Sequence, residues 1–93
     1  MTKNQIDIMN KAISTYGQDS QMLMAIEEMS ELTKAICKYK RYGDNVNDIA
    51  EEIADVTIML EQLKMMFDVY PEVEMNIDLK LKRLERRLAY AEA

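Results

Sequence analysis

The stretches "AIEEMSELTKAI" (residues 25–36) and "AEEIADVTIML" (residues 50–60) decide how this chain is read. Each carries apolar residues at steps of three and four, the period of an amphipathic helix. Each also sets carboxylates beside its apolar stripe in corresponding places: Glu28 and Glu31 in the first, Glu52 and Asp55 in the second. Successive helical residues turn by about 100°, so the two members of each pair project from one flank about 60° apart. If the two stripes face each other across a short loop, the carboxylates converge. Left alone they would repel one another and be driven to protonate. A bound divalent cation removes that cost, and an all-oxygen donor set suits a hard ion such as Mg²⁺ or Mn²⁺. A di-iron carboxylate centre needs Glu-x-x-His pairs, and the chain has no histidine.

Outward from these stretches, Gly17, Gly43 and Pro71 divide the chain into four segments without a long linker. The pattern predicts helices over about Lys3–Tyr16, from a cap at Asp19 or Ser20 to about Tyr42, over about Val46–Phe67, and from Pro71 in a first turn to about Ala91. The expected seams are Met22, Ile26 with Ala25, Met29, Leu32, Ile36 and Tyr39 on the second helix and Val46, Ile49, Ile53, Val56, Leu60, Leu63 and Phe67 on the third. The expected fold is therefore all-α, one domain over residues 1–93: a four-helix antiparallel bundle. Met24, Ile58, Met59, Met65 and Met66 lie off these seams and read as surplus that a neighbouring chain would cover. A chain of 93 residues buries only about 60–65% of its unfolded surface on its own, which favours assembly into a homodimer or homotetramer.

The net charge of −5 argues against a nucleic-acid backbone as partner but leaves room for a small phosphate ligand. No apolar run approaches membrane-spanning length and no secretory leader pattern is present, so the expected compartment is the cytoplasm. Cys37, the one cysteine, has no histidine to activate it and reads as a packing or surface residue.

"EEMSE" (27–31) and "EEIAD" (51–55) together resemble the E-E-x-x-E and E-x-x-D hallmark of the MazG-like nucleotide pyrophosphohydrolases, within the all-α NTP pyrophosphatase superfamily. The resemblance extends over roughly the first two thirds of the chain. It implies that Glu28, Glu31, Glu52 and Asp55 bind Mg²⁺ and that Glu27 orients water. It further implies hydrolysis of a nucleoside triphosphate to a monophosphate and pyrophosphate, with neighbouring chains completing the pocket. Lys80 and Arg83 in the final helix resemble the family's phosphate-binding cations, although Asp78 stands where an asparagine is common. Lys34, Lys38 and Arg41 read instead as a solvated row on the outer side of the second helix. Gln21, with Tyr16, Tyr39 and Tyr42, is a candidate for base contact. The alternatives are a non-catalytic nucleotide- or metal-binding regulatory module and phosphoribosyl-ATP pyrophosphohydrolase; the second usually carries a tyrosine–histidine pair after its second acidic motif, where this chain has "VTIMLEQL".

Overall fold

The computed structural model describes residues 1–92 and is all-helical, with no strand among them. The helices are α1 (Lys3–Tyr16), α2 (Gln18–Tyr42), α3 (Val46–Phe67) and α4 (Tyr70–Glu92). Thr2 opens α1 with a reciprocal capping box to Gln5, leaving fewer free amide donors at that end. Gly17, at φ 91°, separates α1 from α2 and occupies the cap position itself, so neither Asp19 nor Ser20 caps α2. Gly43, at φ 69°, closes α2 with its amide on Tyr39 O, a conformation that a side chain would strain. Asp68, also left-handed, ends α3.

The helix pair α2–α3 forms the centre, and α1 packs against both. α4 touches only α3 and buries none of its residues. The chain is correspondingly open: its radius of gyration is 16.5 Å, against about 12 Å expected for a compact domain of this length. Its axes measure 52 × 37 × 23 Å. Among the described residues, no helix is long and apolar enough to cross a membrane.

The seam differs from the expected one. On α2 the buried residues are Gln21, Ala25 and Ala35; on α3 they are Val56, Met59 and Gln62. Ile26, Met29, Ile36, Ile53, Leu60 and Phe67, placed in the seams by periodicity, stay exposed. Small side chains, Ala25 and Ala35, stand among the buried positions of α2, and the interaxial distance of packed helices follows the side chains at the contact. The closing stripe is therefore displaced toward Gln21 and Ala35 on α2 and toward Met59 and Gln62 on α3, while Ala25 and Val56, both expected in the seams, are buried there. Met59 is core rather than surplus, whereas Met24 and Ile58 remain exposed.

Polar groups secure the pair where the apolar contact is thin. Gln21 Nε2 donates to Gln62 Oε1 at 2.6 Å in the buried seam, and Asn45 Nδ2 donates to Ala35 O at 2.9 Å across the α2–α3 loop. At the far end of α3, Glu61 accepts from Lys64 at 2.8 Å and from the Tyr70 hydroxyl at 2.7 Å, tying the start of α4 to α3.

Candidate metal centre

The α2–α3 seam carries carboxylates into the helix interface. Glu28 on α2 and Glu52 on α3 are half-buried at the level between the Gln21–Gln62 and Ala35–Asn45 bonds. Asp55, one turn along α3 from Glu52, joins them, and each of the three offers a carboxylate oxygen within 4.8 Å of the others. Glu28, Glu52 and Asp55 are the residues that would hold a hard cation there, through oxygen donors alone.

The electrostatics record the crowding. Burial, then the Asp55 charge and hydrogen bond, then Glu52 and Glu31, push the Glu28 carboxyl above its ordinary value. Glu52 is pushed up by burial first, then by Asp55, Glu31, Glu51 and Asp48. Among the described residues, Glu52 Oε2 is buried with no hydrogen-bond partner. A buried acceptor of this kind is rare in folded proteins and calls for a donor or an ion. The residues fit a hard divalent cation: three carboxylates, an orphaned oxygen and no sulfur or imidazole.

The other expected site residues fall in different places. Glu31 stands at the edge of the cluster, exposed and paired with Lys34 at 3.3 Å. Glu27 lines a surface groove with Glu28 and Glu31. Gln21, expected at a base pocket, is buried and spent on Gln62. Lys80 and Arg83 lie on α4, which makes no contact with α2 among the described residues, and neither lines a groove holding the acids. Lys34 and Lys38 are exposed, as a solvated row would be. Both line a groove shared with Glu31, Asn45, Asp48 and Glu52. The sequence held the signal for them, since positions 31, 34 and 38 are helical neighbours at steps of three and four.

Set against protein-family models, curated proteins and solved structures, the chain finds no match. What fold and site define is a class: an all-helical chain whose central helix pair carries a three-carboxylate candidate cation site.

Proposed function

We propose that the chain is a MazG-like, Mg²⁺-dependent nucleoside triphosphate pyrophosphohydrolase. The observation that carries this reading is the Glu28–Glu52–Asp55 cluster in the seam, with Glu52 Oε2 unpartnered. A divalent cation there supplies charge neutralisation at phosphoryl oxygens and acidifies water, which is what anhydride hydrolysis requires. Glu28, Glu52 and Asp55 hold the cation, Glu31 closes the edge of its site, and Glu27 orients the attacking water. Water adds to the α-phosphorus, the bond from that phosphorus to the bridging oxygen breaks, and pyrophosphate leaves. No side-chain nucleophile takes part, so the absence of histidine is no obstacle.

The same reading covers assembly. Among the described residues only five apolar ones are buried, while Ile26, Ile53, Leu60 and the α4 stripe Ile77, Leu81, Leu84 and Leu88 are exposed. Further copies laid on these stripes would assemble the antiparallel four-helix chain into a homodimer or homotetramer, and would bring Lys80 and Arg83 of one chain to the acids of another. The setting we propose is cytoplasmic nucleotide-pool housecleaning.

The test is Mg²⁺-dependent pyrophosphate release across a panel of ribo- and deoxynucleoside triphosphates and phosphoribosyl-ATP, with the monophosphate identified. Release from a nucleoside triphosphate supports the reading. Cation-dependent nucleotide binding without turnover would instead make the chain a regulatory module, and turnover confined to phosphoribosyl-ATP would move it to histidine biosynthesis.

A further inference from the structure

A second groove, of about 210 Å³, adjoins the carboxylate cluster where the C-terminal half of α2 meets the first turns of α3. Asn45 occupies the position before α3 whose side chain ordinarily caps the helix by accepting from an amide of the first turn. It makes no such bond. Its Nδ2 is turned back to Ala35 O at 2.9 Å instead. That contact fixes the amide's orientation, because the flipped amide would set Oδ1 against a carbonyl oxygen, acceptor on acceptor. Oδ1 is consequently left without a donor on a side chain only 7% exposed. The same groove is lined by Glu52, whose Oε2 is likewise unpartnered, and by Asp48, Glu31, Lys34 and Lys38. Glu52 Oε2 would be answered by the cation of the adjoining site, whereas Asn45 Oδ1 is left as an unmet demand for a hydrogen-bond donor, and folded proteins seldom leave such a demand unmet.

We propose that this groove is a subsite that reads a hydrogen-bond donor on the phosphate-bearing ligand. Asn45 Oδ1 accepts from a hydroxyl or amino group of that ligand, while the ammonium groups of Lys34 and Lys38 face its anionic oxygens. The inference rests on the reading of the adjoining carboxylates as the cation site for a nucleoside triphosphate. It goes beyond that reading in making Asn45 a specificity-determining residue. It also assigns phosphate contact within one chain to α2, where the sequence pointed to α4. A donor of this kind has two sources on a nucleotide, the sugar hydroxyls and an exocyclic amino group of the base.

Calorimetry with Mn²⁺ and α,β-methylene analogues, which bind without being cleaved, separates the two sources. One series is ribo, 2′-deoxy and 2′,3′-dideoxy on a single base; the other compares cytosine with uracil on a single sugar. Inorganic pyrophosphate with Mn²⁺ serves as the ligand without a donor. Loss of the one donor that is read should weaken binding to the parent protein by about ten- to a hundred-fold, the effect of leaving a buried acceptor unpaired. Asn45→Ala should erase that difference and leave pyrophosphate binding unchanged. Lys34→Met with Lys38→Met should weaken pyrophosphate and nucleotide alike. Equal affinity of the parent for every analogue overturns the subsite, and this arm needs no variant to fold. A loss of pyrophosphate affinity in Asn45→Ala as large as the loss for nucleotide also overturns it, by showing that Asn45 only holds the loop. If pyrophosphate and all analogues bind alike, the cation reading survives and the subsite falls. If none binds with Mn²⁺, both fall together.

Discussion

Glu28 and Glu52 carry the electrostatic strain of the metal-free fold, because each is a carboxylate in a helix seam facing other carboxylates. Both folded-state pKa values lie above the ordinary 4.5. Between 4.5 and the raised values the folded chain holds protons that the unfolded chain has released, so stability falls as pH rises through that window. With chelator present, the parent should melt higher near pH 5 than at pH 7, and Glu28→Gln should flatten the slope. An unchanged slope in the variant would remove Glu28 as its source. Adding Mg²⁺ or Mn²⁺ at pH 7 should raise the Tm, since the unfolded chain has no such site; identical melts with ion and with chelator would count against the centre. Glu52→Gln and Asp55→Asn remove ligand charge at nearly constant shape. Outer-shell partners of a metal alone cost about 10–100-fold in affinity or activity, so turnover should fall by more than that while the metal-free fold holds or stiffens. Joint loss of folding and activity would make these carboxylates structural.

At the scale of the element, two polar ties do what apolar contact does elsewhere. Gln62→Leu strands Gln21 in the seam and should cost about 1–3 kcal/mol, whereas the double change to leucine at both positions should recover most of it; denaturant melts of the three variants measure the difference. The start of α4 hangs on Glu61, whose carboxyl is held below the ordinary range by its hydrogen bonds from Lys64 and Tyr70. A lowered folded pKa gives stability that is present above the ordinary value and lost as pH falls through the folded one. Tyr70→Phe should cost about 1.5 kcal/mol near neutral pH and less in acid. Hydrogen exchange localised to the first turns of α4 would show the tie loosening there; uniform exchange along the chain would not.

For the whole molecule, the open shape and the exposed α4 stripe lead to one measurement. Light scattering at micromolar concentration should report a dimer or tetramer, and Leu84→Lys should shift it toward monomer while the α2–α3 pair still binds Mn²⁺. In a monomer, Leu84 is a surface residue, and the same change would alter neither mass nor melting.

Sequence alone determined the helices, nearly to the residue, because glycine and proline breakers and a 3.6-residue apolar period are local properties of the chain. It also placed Glu28, Glu31, Glu52 and Asp55 together, since helical angle and a short loop leave those flanks few other places to go; three of them meet, while Glu31 stays exposed beside Lys34. What only the tertiary structure decided was which stripe closes. Periodicity pointed to Ile26 with Ala25 and to Ile53, and of these Ala25 is buried while Ile26 and Ile53 are exposed and Ala35 joins the core; Lys34 and Lys38 border the groove that Glu52 lines, and Gln21 lies in the core. The orphaned oxygens of Asn45 and Glu52 belong to the same category: whether a buried acceptor finds a donor depends on contacts between helices, which no local pattern records.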